Sequence, residues 1–383
     1  MPGVRKAVVL GLCLTSLLLT AAVPASARAA GSPVLFNRLE YQVTPATLRA
    51  DARHYNVMVM WSDSGRYVQT LHRLNPRLRV LMYQNVPFST TTDQTGGMNC
   101  TTVPQDLAHP GWLARTALGA PVTGGNNYST NVGNPGYQRA CVTHAVALAR
   151  SRGFDGIFLD GVCAKFSWTV PSGVTAHPVQ FPSDAAYQSA VFSLLSYAGP
   201  AVHAAGLKLY ANVSAADSPQ WGKWNGPLDG AMEESWTDGG LGLAQQIPWW
   251  RQKLGNAAWS EAHGKNVLLH SYNRTEAGNT FGLASMLLVA NGRASYTTST
   301  NYTTTAAWLP EYTTAQHLGV PRGRYRVLRS GVYKRVFAHG VVLVNPTRRG
   351  RRVVLHGRYS GTHLRRVRAV SLAPLSAVIL TRG

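Results

Sequence analysis

Short apolar runs of strand length alternate with helical patterns along most of this chain. Val34-Leu35-Phe36, Val57 to Trp61, Leu78 to Tyr83, Ile157 to Asp160, Leu207 to Asn212, Gly230 to Glu234, Val267 to His270 and Ala294 to Tyr296 read as eight strands. The segments between them carry helix punctuation. Thr44-Pro45 opens a helix through Tyr55, and Ser64 to Leu74 is helical up to the stop at Asn75-Pro76. Asn134-Pro135 starts a helix with Val142, Ala145, Val146 and Ala149 on one face. Ser183-Asp184 caps another, lined by Val191, Leu194, Leu195, Ala198 and Val202, with a kink expected at Gly199-Pro200. Leu243 to His263 and Thr280 to Ala290 complete the set. Alternation of this kind implies a parallel sheet covered by helices, and eight units close into a (β/α)8 TIM barrel, here over residues 33–318. A doubly wound open sheet is the alternative, but no GxGxxG loop follows an early strand.

Two stretches break the rhythm. Gln84 to Gly133 is polar, rich in Thr, Gly and Asn, and reads as a long functional loop. Beyond Gly319 the apolar period drops to two. Tyr325 to Leu328, Val332 to Phe337, Val341 to Val344, Arg352 to Leu355, Val367 to Val370 and Ala377 to Leu380 predict a small antiparallel β domain over residues 319–383.

Residues 1–27 stand apart from both patterns. Arg5 and Lys6 precede the apolar run Ala7 to Val23, and Ala25-Ser26-Ala27 fits a small-x-small cleavage site. The expectation is a signal peptide and a secreted chain, extracellular or attached to the cell wall, with no transmembrane segment after cleavage. Cys100, Cys141 and Cys163 then remain; Cys100–Cys141 is the first choice of disulfide, with Cys163 free. No CxxC or HxxxH spacing points to a metal, and no cofactor motif is present.

Charge is distributed unevenly. The chain holds 37 Lys+Arg against 16 Asp+Glu, and from Tyr312 to Gly383 there are 15 Lys+Arg and no acid. The bland reading is a solvated face. The sharper one is adhesion to an anionic cell-wall polymer or acidic polysaccharide. Nucleic acid is not expected as a partner, since no recognition motif accompanies the charge.

The chemistry concentrates where strands end on acids. Ile157-Phe158-Leu159-Asp160 is apolar up to a terminal carboxylate, and Gly230-Ala231-Met232-Glu233-Glu234 ends on two. Barrel enzymes keep their chemistry at such C-terminal tips, and two carboxyls facing each other suit cleavage of a glycosidic bond. With side chains alternating inward and outward, only one of Glu233 and Glu234 can face the axis. Glu234, the more terminal, is favoured, and Glu233 would then need a polar partner between sheet and helices. Trp61, Tyr83, Asn212, Trp236, His270, Tyr272 and Tyr296 fall at or just past strand ends and are candidate sugar-binding residues. Lys165 and Trp168, in the loop after Asp160, are weaker candidates.

Phe154-Asp155-Gly156-Ile157-Phe158-Leu159-Asp160 and Asp229-Gly230-Ala231-Met232-Glu233-Glu234-Ser235-Trp236 resemble the strand-four and strand-six motifs of bacterial glycosyl-hydrolase-like barrels. These are similar to the endo-α-1,4-polygalactosaminidases and more remotely to the α-galactosidase clan. Gly340 to Pro346 and Leu372 to Leu380 resemble the C-terminal β domain such barrels carry. The resemblance implies Asp160 as nucleophile and Glu234 as acid/base, although strand six carries Glu rather than Asp and no KxD precedes Asp160. The expected function is that of a secreted glycoside hydrolase acting on a polysaccharide without metal or cofactor. The alternative is a non-catalytic carbohydrate- or wall-binding protein on a barrel scaffold. An esterase or deacetylase lacks support, because no GxSxG elbow is present.

Overall fold

The computed structural model describes residues 34–39, 43–169, 177–214, 218–237, 243–273, 275–299 and 308–383. The expected leader, residues 1–27, lies outside them. The strands are β1 (Leu35–Leu39), β2 (Val57–Met60), β3 (Arg79–Asn85), β4 (Phe88–Thr90), β5 (Thr123–Gly124), β6 (Asn127–Ser129), β7 (Gly156–Cys163), β8 (Lys208–Ser214), β9 (Gly230–Glu233), β10 (Asn266–Ser271) and β11 (Ala294–Thr298). The helices are α1 (Leu48–His54), α2 (Val68–Leu74), α3 (Val103–Ala108), α4 (Pro135–Ser151), α5 (Asp184–Ala204), α6 (Ser218–Asn225), α7 (Leu243–Ala262), α8 (Glu276–Val289) and α9 (Pro310–Gln316). Eight of the strands, all parallel to their neighbours, close a barrel in the order β1-β11-β10-β9-β8-β7-β3-β2. The expected (β/α)8 barrel is thus borne out.

Local signals explain the helix starts. The Asn134 side chain accepts hydrogen bonds from the Gly136 and Tyr137 amides, with Pro135 in the first turn of α4. Ser183 caps α5 through the Ala186 amide, and α5 continues as one helix through Gly199 and Pro200. Most barrel strands carry apolar residues on both faces, as suits a parallel strand under helices, while β1 and β11 are mixed and bring Asn37 and Ser295 together inside. Val57, Val59, Leu81, Phe158, Tyr210, Met232 and Leu268 fill the interior. Met58, Met60, Val80, Met82, Ile157, Leu159, Leu209, Val267 and Leu269, the alternate residues, pack outward in the main core.

The insert between β3 and α4, read from its composition as one long loop, carries secondary structure of its own. β4, β6 and β5 form a three-stranded antiparallel sheet. The Asp93 carboxylate accepts hydrogen bonds from the Gly97, Met98 and Asn99 amides, so one acid organises the turn. The expected Cys100–Cys141 disulfide ties the insert to α4, and Cys163 is free and buried.

The C-terminal strands are β12 (Arg326–Val327), β13 (Tyr333–Val336), β14 (Gly340–Asn345), β15 (Arg351–Gly361), β16 (Leu364–Leu372) and β17 (Ser376–Arg382). They form one antiparallel sheet in the order β12-β13-β14-β17-β15-β16. Central β14 is buried on both faces: Val342 and Val344 join the main core, while Val341 and Leu343 join Val353, Leu355, Val370 and Leu372 in a second one. Arg335 fastens the sheet to the barrel by donating to the Leu287 and Ala290 carbonyls and to Asn291 at the end of α8. Barrel and sheet therefore lie within one compact unit.

Candidate active site

One step of strand periodicity builds the site. Two residues beyond the interior positions Val59, Leu81, Phe158, Tyr210, Met232 and Leu268 come Trp61, Tyr83, Asp160, Asn212, Glu234 and His270. Apolar filling thus gives way to polar and aromatic side chains within one layer, at the C-terminal mouth of the barrel. Asp160, Tyr83, Trp61 and Glu234 are half-buried there.

Asp160 and Glu234 are joined through one amide. Asn212 Nδ2 donates to Asp160 Oδ1 at 2.9 Å and to Glu234 Oε2 at 2.6 Å. Each acid also receives a phenol: Tyr83 donates to Asp160 Oδ2 at 2.6 Å, and Tyr272 to Glu234 Oε1 at 2.5 Å. Burial, and then the charge of Glu234, push the Asp160 carboxyl up, against the donors Tyr83, Asn212 and the Gly161 amide. Two carboxyls this close disfavour double ionisation, so the pair tends to keep a proton between them.

Backbone geometry aims each acid. At β7 the pairing with β8 shifts between Leu159 and Val162, a bulge that contains Asp160 and Gly161. Gly161 has φ 73°, and a Cβ there would lie 2.4 Å from Pro87 Cγ, so the position demands glycine. At β9 the strand ends at Glu233 and Glu234 opens a turn, with Ser235 at φ 52°. Trp236 then returns to the barrel by donating its amide to the His270 carbonyl.

The alternation argument separates the two glutamates. Glu233 points away from the axis, is 3% exposed, and pairs with Lys253 Nζ at 3.0 Å and Asn256 Nδ2 at 3.1 Å on α7. It belongs to the sheet–helix layer, so its candidacy as a catalytic acid is withdrawn. Two aromatic candidates also lie outside the mouth. Trp236 is buried and donates through Nε1 to the Gly282 carbonyl under α8. Tyr296 occupies the outward register of β11 and packs edge-on to Tyr312, 6.1 Å between ring centroids, so it cannot face a sugar at the mouth. His270 faces inward but is fully buried; burial lowers it to about 4, leaving a neutral imidazole near pH 7. It bonds Ser299 Oγ at 2.8 Å and lies edge-on to the Tyr272 ring, buttressing that phenol. Trp168, half exposed in the loop after β7, has Lys165 Nζ 5.5 Å from its ring centroid.

Sequence reasoning missed three residues that act here. Gly161 was legible as the residue following a strand-terminal acid. Lys253 and Asn256 were not singled out, although a lysine among Trp250, Leu254 and Ala257 on the buried stripe of α7 violates that stripe's pattern. Among the described residues no group of three or more His, Cys, Asp or Glu is arranged to hold a metal ion.

Facing carboxyls over a barrel mouth are the equipment with which glycoside hydrolases work, and this protein is one of that class. It belongs to hypothetical glycosyl hydrolase family 15, whose family model matches residues 72–341, from α2 into β14 and including both acids. The resemblance to glycosyl-hydrolase barrels is thereby borne out. Among solved structures it is similar to the maltogenic α-amylase AmyB of Thermotoga neapolitana (10% identity, 91% of this chain and 96% of that one, TM-score 0.53). An α-amylase of Lactobacillus plantarum matches at 8% identity over 92% and 99%, TM-score 0.52. A β-L-arabinopyranosidase of Geobacillus stearothermophilus matches at 11% over 93% and 98%, TM-score 0.51. At such identities the likeness is one of fold. No curated protein matches the chain by sequence.

Proposed function

We propose that this protein is a secreted hydrolase that cleaves glycosidic bonds in a polysaccharide with retention of configuration, Asp160 acting as nucleophile and Glu234 as acid/base. The carrying observation is the shared amide. Two oxygens held by one nitrogen at 2.9 and 2.6 Å can lie no more than about 5.5 Å apart, the spacing at which a carboxylate attacks the sugar directly. An inverting pair would need room for a water between acid and sugar, about 6.5–9.5 Å. In the first step Asp160 attacks the anomeric carbon while Glu234 gives its proton to the departing oxygen. In the second, Glu234 takes a proton from water, which displaces Asp160. Burial and the charge of Glu234 raise the Asp160 carboxyl overall, and donors from Tyr83, Asn212 and the Gly161 amide oppose that rise in favour of the ionised form the attack requires. Tyr272 and Asn212 hold Glu234 from two sides.

Export has the support of the Cys100–Cys141 bridge, since disulfides persist in oxidising compartments. The basic sheet supplies the reading's second half, an anchor to an anionic wall polymer. Arg352, Arg358, Arg365, Arg366 and Arg368 are exposed on β15 and β16, and none has an acidic partner among the described residues. The test is a screen of cell-wall and exopolysaccharides for released reducing ends, run on wild type and Asp160→Asn. Hydrolysis by wild type alone, with the product's anomer retained by NMR, supports the reading. Polymer binding by both proteins with no cleavage by either supports the non-catalytic alternative.

A further inference from the structure

We propose that Lys253 is a positioning residue: its buried ammonium clamps the turn after β9 so that Glu234 stays within reach of Asn212, Tyr272 and hence Asp160. This rests on the reading of Asp160 and Glu234 as the reacting pair.

Lys253 is 4% exposed and reaches from α7 under the tip of β9. Its three N–H bonds have three oxygens to meet: the Glu234 carbonyl at 2.5 Å, the Ser235 carbonyl at 2.9 Å and Glu233 Oε1 at 3.0 Å. The Trp249 ring lies 4.5 Å from Nζ. Asn256, three residues along the same helix face, takes the other Glu233 oxygen. The ammonium is therefore saturated, and its counter-ion is the residue immediately before the catalytic candidate.

Two of those acceptors are consecutive backbone carbonyls, one belonging to Glu234 itself. Gripping that carbonyl fixes the ψ angle of Glu234 and with it the direction of its side chain. The next residue, Ser235, is held in the left-handed region without being glycine, a conformation that persists only where the surroundings impose it. Convergence of both carbonyls on one cation is what imposes it. A buried ion pair is a poor device for stability, because desolvation offsets most of the attraction. It is a good device for register, because a charge with fixed acceptors tolerates one arrangement. Glu233 is the ion-pair partner of Lys253 in this layer, which gives the adjacent glutamates distinct tasks: one anchors and the other reacts.

The test is the full-length double variant Lys253→Met/Glu233→Gln, which removes both buried charges while keeping their shapes. Folding is checked by thermal melting, expected to stay near wild type because such pairs are replaceable by neutral isosteres. The first readout needs no substrate: a 13C NMR titration of the site carboxyls. In wild type, burial and then the charge of the nearby Glu234 hold the Asp160 carboxyl above the ordinary carboxylate range; in the double variant the second contribution falls as Glu234 swings away, and Asp160 moves down. The second is kinetic, a fall of about 10²-fold in kcat with KM little changed and a shifted pH profile, as expected for misplacement of a reacting group. Ordinary melting with an unchanged titration overturns the proposal. Should wild type cleave no glycan while the titration still shifts, the positioning role stands and the hydrolase mechanism falls. If the double variant is unfolded, Lys253→Arg, which keeps the charge facing Glu233 but not the convergence of one nitrogen on the two carbonyls, is titrated instead; an Asp160 titration that moves down supports the clamp, and one identical to wild type overturns it.

Discussion

The tips of β7 and β9 deliver the same kind of group to the same place by different means. At β7 the chain does the work itself: a one-residue bulge with Gly161 in the left-handed region turns Asp160 to the mouth. At β9 a serine takes the left-handed position, and an ammonium from a distant helix holds the turn. The first device is local and written as Asp-Gly. The second is assembled across 18 residues, from Ser235 to Lys253, and exists only once α7 has docked. A self-contained tip should fail when its own residue changes, and a braced tip when its brace does.

The largest effects are expected at the acids. Asp160→Asn and Glu234→Gln should each lower kcat by at least about 10²–10⁴-fold on any glycan the wild type hydrolyses. Equal turnover in either variant would break the pairing of the two tips. Asp160→Asn should also be more stable than wild type near pH 7. A carboxyl raised in the folded state is protonated in both states below its unfolded value of about 3.9 and penalises folding as pH rises through the folded value. The gain in Tm should therefore vanish near pH 3, and melting curves at the two pH values measure it.

Gly161→Ala comes next. It forces a side chain into the left-handed region, costing about 1–2 kcal/mol, and onto Pro87. Denaturant titration should show that loss, and turnover should fall further than stability does. A Ser235→Gly change at the other tip should instead be tolerated in stability, which sharpens the contrast. Tyr83→Phe should be milder. Loss of a hydrogen bond to a charged group, about 1.5–3 kcal/mol, implies a decrease of roughly 10- to 100-fold in kcat/KM. It should also move the pH limb set by Asp160 upward, since a donor that lowers that carboxyl is gone. Tyr296→Phe is the smallest: its hydroxyl donates to the Asn279 carbonyl at 3.4 Å, behind the barrel wall. KM should be unchanged, and a large rise would return Tyr296 to the cleft.

Much of the site was legible because barrel strands obey a period of two. Once Phe158 and Met232 are interior, Asp160 and Glu234 must be interior too, and Glu233 must not. Trp236 and Tyr296 misled because position near a strand end says nothing about which face a residue takes. Tyr296 sits one register step from the inward Ser295 and Thr297, and its strand is too short and mixed to reveal that step. The insert was misread because its order comes from Asp93 accepting backbone amides and from a disulfide to α4, neither of which leaves an apolar periodicity.

By itself the sequence determined the eight barrel strands and most of the helices between them, their closure into a barrel, the change of period at the C-terminal sheet and the two acidic tips. All of these are set by the spacing of apolar residues and by short-range turn chemistry. Only the tertiary structure decided that one amide joins Asp160 to Glu234, that Tyr83 and Tyr272 divide between them, and that Lys253 holds the turn. Those contacts join residues far apart in the chain, and their geometry follows from how the barrel closes and how α7 packs against it, which no local pattern encodes.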